Sequence, residues 1–165
     1  MILVIMRHGQ AVEYREPDHT RALTDFGVRQ CEQAGVWLKQ RLPDFAHLSQ
    51  EYSNAIDIAL VSPYLRTQQS CRALGKGIAI KQQITFDAIT PMGNALHTAD
   101  IIHGYATDSP GPKSMLIVTH MPLVSLLADK ICAGFNAKIF DTADTLVIDY
   151  NIETGRGDEL AYYHG

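Results

Sequence analysis

Two arginines and two histidines stand where predicted buried strands end, and their side chains could bind and transfer a phosphoryl group. Arg7 and His8 directly follow an apolar run at residues 2–6, and His120 comes shortly after the run at residues 115–118. Arg66 lies shortly after a third run, at residues 58–61. Ligands of open α/β sheets bind beside the carboxyl ends of the parallel strands. We therefore expect Arg7, His8, Arg66 and His120 to converge in one site.

These residue types suggest a division of labour around an anion. Arginine forks bind phosphoryl oxygens and neutralise the charge that spreads over them in the transition state. One histidine can act as a nucleophile through a neutral ring nitrogen. The other, held near anionic oxygens, would be protonated and donate a hydrogen bond. Gly9 would let the ligand approach the backbone closely. No carboxylate or cysteine cluster has metal-ligand spacing, so we expect metal-free covalent chemistry without a cofactor.

Strands and helices alternate along the sequence, which predicts a mostly parallel sheet with helices on both faces. Thr24 is a plausible N-cap for a helix at 25–42, and Ser62 for a helix that runs to about residue 74. Further helices are expected at 95–105 and from Pro122 to about residue 132, with a short helix or irregular segment at 45–54. Strands are expected at 2–6, 58–61, 84–86, 115–118, 145–150 and 160–163. No linker divides the chain, so a single domain over residues 1–165 is expected.

Composition restricts the class of protein. The 165 residues carry a formal net charge of −4 and include three cysteines. This acidic balance argues against a general nucleic-acid or anionic-membrane binder. The apolar run at the N-terminus is too short for a secretory signal or a membrane helix. Three cysteines without metal-type spacing are typical of reduced thiols. We therefore expect a soluble, cytoplasmic protein.

Four ordered motifs resemble the histidine phosphatase superfamily, also called phosphoglycerate-mutase-like. They are Met6-Arg7-His8-Gly9, Arg21-Ala22-Leu23-Thr24 with Gly27, Ser62-Pro63-Tyr64-Leu65-Arg66-Thr67-Gln68-Gln69-Ser70 and Val118-Thr119-His120-Met121-Pro122-Leu123-Val124. Together they span nearly the whole chain. The short length and the segment Thr90-Pro91-Met92-Gly93 resemble its SixA-type phosphohistidine phosphatases in particular.

The resemblance implies a three-layer αβα sandwich and a covalent phosphohistidine intermediate on His8. Arg7, Arg66 and His120 would complete the phosphate pocket, and Arg21 matches a further arginine near it. The small size implies little or no lid. Such an open site suits a phosphohistidine on another protein, such as a phosphotransfer domain of a signalling relay, with inorganic phosphate as the product.

One departure from the superfamily pattern concerns the general acid. Ala88 occupies the position where many members have a carboxylate, and Asp87 beside it is a possible substitute. An alkoxide leaving group needs such an acid, whereas an imidazole needs less help. The departure therefore favours a phosphoramidate substrate. Two alternatives remain: a small-molecule phosphomonoesterase with the same chemistry, and a catalytically inactive module that binds phosphorylated proteins.

Overall fold

A computed structural model describes residues 1–48, 54–132, 134–136 and 138–165, and one six-stranded sheet organises them. The strands are β1 (Ile2–Arg7), β2 (Ala55–Val61), β3 (Ala79–Thr85), β4 (Ser114–Thr119), β5 (Thr145–Asn151) and β6 (Arg156–Tyr163). The longer helices are α1 (Asp25–Arg41), α2 (Leu65–Leu74), α3 (Ala95–Thr107) and α4 (Leu123–Ile131). Short 3₁₀ segments lie at Asp18–Thr20, Leu42–Leu48 and Asp87–Ile89.

The sheet has the order β3-β2-β4-β1-β5-β6. The first four strands are parallel, β5 is antiparallel to β1, and β6 is antiparallel to β5. The mostly parallel sheet expected from the sequence is therefore confirmed. Strands from both ends of the chain share it, although the single-domain expectation for residues 1–165 stays a prediction.

Alternate residues of β1 face two separate cores, which makes the fold a three-layer αβα sandwich. Ile2, Val4 and Met6 pack with α1 and α2, whereas Leu3 and Ile5 pack with α3 and α4. All five side chains are buried. A strand covered on both faces needs a continuous apolar run, and this is the pattern of residues 2–6.

Three strands deliver site residues to one edge of the sheet. Arg7 pairs with Thr119 across β1 and β4, and Val61 pairs with Val118 across β2 and β4. The residues that follow these strands, His8, Ser62 and His120, therefore start from neighbouring positions.

The structure corrects several expected boundaries. β3 spans Ala79–Thr85, whereas the sequence predicts a strand at 84–86. Ser62 does not cap α2, which begins at Leu65 after Tyr64. Thr24 is confirmed as the N-cap of α1, because its hydroxyl accepts a hydrogen bond of 3.0 Å from the Gly27 amide. Of the segment expected at 45–54, residues 49–53 lie outside the described residues.

No helix in the described part of the chain is both long and apolar enough to cross a bilayer.

Candidate active site

His8 lies immediately after β1 and has a defined ring orientation. Its side chain is buried, and its backbone amide donates to the carbonyl of Thr119 on β4 at 3.0 Å. Its Nδ1 lies 2.8 Å from the Gly9 carbonyl, and its Nε2 lies 3.2 Å from Nε of Arg66. Because the Arg66 Nε–H can only donate, Nε2 must hold the lone pair and Nδ1 the proton. The surroundings therefore select the tautomer whose Nε2 is a free base.

Arg66 is the second residue of α2 and reaches back over the start of that helix. With Ser62 as the expected N-cap, Arg66 would lie about one turn into the helix, but the helix begins at Leu65 and Arg66 is closer to its N-terminus. Besides contacting His8, it donates through Nη1 to the backbone oxygen of Asp18 at 2.9 Å and through Nη2 to the Asp18 carboxylate at 3.0 Å. All three guanidinium nitrogens thus have a protein partner.

His120 follows β4 and packs beside His8, with 5.1 Å between the ring centroids. Its Nε2 forms a hydrogen bond of 2.7 Å with the hydroxyl of Ser62, which follows β2 and is buried. Its Nδ1 is buried and has no hydrogen-bond partner among the described residues. The Ser62 hydroxyl is thus bonded to His120 and does not cap α2.

Arg7, the last residue of β1, shows a similar pattern. Its Nη1 donates to the backbone oxygen of Phe140 at 2.7 Å, and its backbone amide donates to the Asp144 carbonyl at 3.1 Å. Its Nε is buried without a hydrogen-bond partner in the described part of the chain. A buried polar group without a partner costs about 1–3 kcal/mol. Arg7 and His120 thus each carry one nitrogen that an oxyanion would satisfy.

Burial and nearby cations make both histidines neutral. Burial is the main cause that lowers the pKa of His8 to about 3, and the charges of Arg66, Arg7 and Arg21 add to it. Burial again leads in lowering the pKa of His120 to about 2, followed by His8, Arg66 and Arg7. Burial and the neighbouring residues therefore do not favour the protonated second histidine that is expected from the sequence. That form would need the negative charge of phosphoryl oxygens beside it.

Arg21 joins the cluster through Asp18, a residue that sequence reasoning missed. Arg21 donates through Nη1 to the Asp18 carboxylate at 2.9 Å, and Nε and Nη2 donate to the Val12 carbonyl at 3.0 and 2.7 Å. Asp18 also accepts from Arg66, so one carboxylate links two arginines. The three-residue spacing between Asp18 and Arg21 was the available sequence signal.

Gly9 is required for packing against α1. A Cβ at Gly9 would lie 2.5 Å from the carbonyl oxygen of Gly27 and 2.7 Å from Sγ of Cys31. Its amide donates to the Ser70 hydroxyl at 3.0 Å. Contact with α1, and not approach of a ligand, therefore accounts for glycine at this position.

Asp87 is exposed on the 3₁₀ segment after β3, and Ala88 follows it. Within the described residues Asp87 has no hydrogen bond or ion pair to the four converging side chains. The segment itself is tied to the site, because the Thr119 hydroxyl donates to the Ile89 carbonyl at 2.8 Å. Asp87 thus lies on an anchored turn at the carboxyl edge of the sheet.

Tyr64 covers part of the cluster. Its ring centroid lies 4.8 Å from that of His120, and Cζ of Arg66 lies 4.7 Å from the ring centroid. The residue is half-buried. No group of three or more histidine, cysteine or acidic side chains suited to a metal ion occurs within the described ranges.

Comparisons with known proteins agree with this geometry. No protein-family model matches the chain. The chain is 37% identical over 127 residues to the phosphohistidine phosphatase SixA homolog of Haemophilus influenzae, covering 75% of this chain and 73% of that protein. It is 28% identical over 160 residues to phosphohistidine phosphatase SixA of Escherichia coli K12, covering 95% and 89%.

A solved structure of the protein histidine phosphatase SixA complexed with tungstate superposes with a TM-score of 0.84 at 26% identity. The superposition covers 99% of this chain and 97% of that chain. The superfamily resemblance drawn from the four motifs is thereby confirmed. The chain belongs to the SixA family of phosphohistidine phosphatases, within the histidine phosphatase superfamily.

Proposed function

We propose that this protein is a phosphohistidine phosphatase that removes phosphoryl groups from histidine residues of another protein, with His8 as the nucleophile. The observation that carries the proposal is the tautomer of His8. The Gly9 carbonyl holds the proton on Nδ1, and the lone pair of Nε2 faces Nε of Arg66, with the His120 ring beside it. The positive charge of Arg7 also acts on this imidazole. A pKa of about 3 keeps this nitrogen unprotonated at neutral pH.

The reaction proceeds in two displacements. Nε2 of His8 attacks phosphorus in line, a P–Nε2 bond forms, and the P–N bond to the substrate imidazole breaks as the departing nitrogen takes a proton. Water then attacks the phosphorus of phosphorylated His8 and loses a proton. The P–Nε2 bond breaks, its electron pair returns to Nε2, and inorganic phosphate leaves.

The remaining residues stabilise the transferring oxygens. Nε of Arg7 and Nδ1 of His120 are buried side-chain nitrogens without a hydrogen-bond partner among the described residues, and phosphoryl oxygens would satisfy both. Arg66 retains two N–H groups beyond its three protein contacts, and Arg21 adds positive charge. Oxyanion charge on the phosphoryl group would also raise the pKa of His120 and let it donate as an imidazolium. Gly9 was expected to bind the substrate. We propose instead that it contributes to the site through its carbonyl, which accepts from Nδ1 of His8.

A phosphoprotein substrate is supported by the relatives and by the departure at Ala88. The Haemophilus and Escherichia relatives bear the name phosphohistidine phosphatase. Ala88 offers no proton donor, and imidazole is a leaving group that needs little acid assistance. A histidine-containing phosphotransfer domain is the substrate that fits this chemistry. We further propose that residues 1–165 act as a single, cytoplasmic, metal-independent domain.

The test compares substrates and traps the intermediate. A radiolabelled phosphohistidine protein should label the wild-type enzyme with an alkali-stable, acid-labile phosphate, and His8→Ala should abolish both label and turnover. His97→Ala, an exposed histidine on α3, is the matched control. Retained turnover in His8→Ala would refute the mechanism.

The same assay separates the alternatives. Faster turnover of sugar phosphates or nucleotides would favour a small-molecule phosphomonoesterase, and Asp87→Asn should then slow that reaction. Phosphate-dependent binding without turnover would identify an inactive binding module. If the substrate is a phosphohistidine protein, we expect Asp87→Asn to leave its turnover unchanged within about twofold, because the imidazole leaves without strong acid assistance.

A further inference from the structure

Asp18 contacts both arginines that approach the nucleophile from outside the sheet. Its backbone oxygen and one carboxylate oxygen accept from Nη1 and Nη2 of Arg66, and the other carboxylate oxygen accepts from Nη1 of Arg21. The side chain of Arg66 is 5% exposed, that of Arg21 19% and that of Asp18 28%. One partly covered residue therefore orients two guanidinium groups.

These contacts determine where the third nitrogen of Arg66 lies. A guanidinium group is planar and rigid, so fixing both terminal nitrogens also fixes Nε. In the structure Nε lies 3.2 Å from Nε2 of His8, the atom proposed to attack phosphorus. The direction of Arg66 relative to the nucleophile thus depends on a residue that does not itself contact His8 within the described contacts.

The negative charge of Asp18 also stabilises the arrangement of the nearby arginines. The positive charges of Arg66, Arg7 and Arg21 all lower the pKa of His8, so three cations lie close to one another around this residue. Burial opposes ionisation of Asp18, but the hydrogen bonds from Arg21 and Arg66 outweigh it and hold its pKa below the usual value. The ionised carboxylate offsets the repulsion between Arg21 and Arg66.

We propose that Asp18 is a positioning residue for phosphoryl transfer, which holds Arg66 and Arg21 in the directions that the transition state requires. The proposal rests on the proposed function, because it assigns to the two arginines the binding of a transferring phosphoryl group. It assigns no proton transfer and no substrate contact to Asp18 itself.

The main test variant is Asp18→Asn, which preserves shape and removes charge. The amide oxygen can accept from one arginine only, and the amide nitrogen would face the other arginine with a donor. We expect kcat to fall about 10–100-fold, as for other misplacements of about 1 Å in an active site. Asp18→Glu, which keeps both acceptors, should recover part of that loss.

Glu13→Gln is the matched control. Glu13 is an exposed carboxylate on the same loop and carries the same charge. If the loss came from the change in net charge of the protein, both variants would show it. We expect Glu13→Gln to retain wild-type kcat within about twofold, because the ion pairs described for Arg21 and Arg66 are made with Asp18 and not with Glu13.

Inhibition by inorganic phosphate separates positioning from a purely structural role. Removing a negative charge beside two arginines should leave phosphate inhibition as strong as in the wild type or strengthen it, while kcat falls. A parallel loss of kcat, phosphate binding and melting temperature would instead assign Asp18 a structural role and overturn the proposal. Wild-type kcat in Asp18→Asn would overturn it as well.

Failure of the proposed function would look different. In that case the wild-type enzyme itself would not turn over a phosphohistidine protein. The same variants would then be compared on p-nitrophenyl phosphate, where the split between kcat and phosphate inhibition still reports on Asp18. If Asp18→Asn does not fold, Asp18→Glu and Asp18→Ser supply the comparison.

Discussion

Nε of Arg66 donates a hydrogen bond of 3.2 Å to Nε2 of His8, so the arginine occupies the lone pair that the proposed reaction needs. Attack on phosphorus requires that this hydrogen bond open. When it opens, the same guanidinium is already placed beside the incoming phosphoryl oxygens. In the proposed reaction, Arg66 would therefore both cover the nucleophilic nitrogen before the substrate binds and supply positive charge once it is bound.

Replacement of Arg66 by lysine should separate charge from shape. A lysine keeps one positive charge but cannot contact His8 and both acceptors of Asp18 with one rigid fork. We expect kcat/KM on a phosphohistidine protein to fall about 100–1000-fold, the range for loss of a preorganised donor. Steady-state kinetics measure this, with Arg72→Lys, an exposed arginine on the same helix, as control. Near wild-type kcat/KM in Arg66→Lys would argue against the role given to the fork.

Removal of the Ser62 hydroxyl should reduce turnover through His120. Ser62→Ala leaves Nε2 of His120 without its hydrogen bond of 2.7 Å and frees the ring to change tautomer. A lost buried hydrogen bond corresponds to about 1–3 kcal/mol, or about a tenfold effect on rate. We expect kcat to fall about tenfold with little change in KM. Ser109→Ala, in an exposed loop, should have no effect on either constant.

Stability should depend on pH through the two buried histidines. Their pKa values of about 3 and about 2 in the folded protein lie below the value of about 6.5 in an unfolded chain. Below pH 6.5 the unfolded chain binds protons that the folded protein does not, so this stability is present above pH 6.5 and is lost as the pH falls towards 3. Denaturant unfolding between pH 7 and pH 4 should show the loss.

A variant isolates the contribution of His120 to that pH dependence. His120→Gln should make the decline in unfolding free energy shallower by at most about 1.4 kcal/mol per pH unit. His97→Gln changes an exposed histidine and should leave the slope as it is. Equal slopes for wild type and His120→Gln would contradict a neutral, buried His120.

Gly9→Ala should destabilise the protein because of α1. The new Cβ would meet the Gly27 carbonyl at 2.5 Å, and overpacking of a core typically costs about 1–3 kcal/mol. Gly104→Ala on α3 is the opposite case, since a Cβ there meets nothing within 4 Å. That variant should stabilise the helix by about 0.5–1 kcal/mol. Thermal unfolding of both variants measures the difference.

The strands that are best predicted from the sequence are those that helices cover on both faces of the sheet. Residues 2–6 and 115–118 are continuous apolar runs, and both lie within buried parallel strands. β3 was misplaced because it is an edge strand, where Lys81, Gln82 and Gln83 face solvent and interrupt the apolar pattern. Burial, not strand formation itself, produces the signal that sequence reasoning detects.

The residues of the site also divide into those that the strand pattern predicts and those that it does not. Arg7, His8, Arg66 and His120 could be predicted together because each lies at or shortly after the end of a recognisable strand. Asp18 and the pairing of Ser62 with His120 could not, since both depend on how loops fold across the edge of the sheet. Ser62 also fits a helix cap, and the sequence alone does not show that its hydroxyl binds a histidine 58 residues away.

The position of β1 in the middle of the sheet has a consequence for amide hydrogen exchange. β4 and β5 cover both of its edges, and the two cores cover both of its faces. Its amides should exchange only through global unfolding, whereas the loop that carries Asp18 can open locally. The proposed nucleophile should thus be anchored to the slowest-exchanging part of the protein, and the loop that carries Asp18 should belong to a faster one. Local opening of that loop can release Arg66 while His8 stays in place.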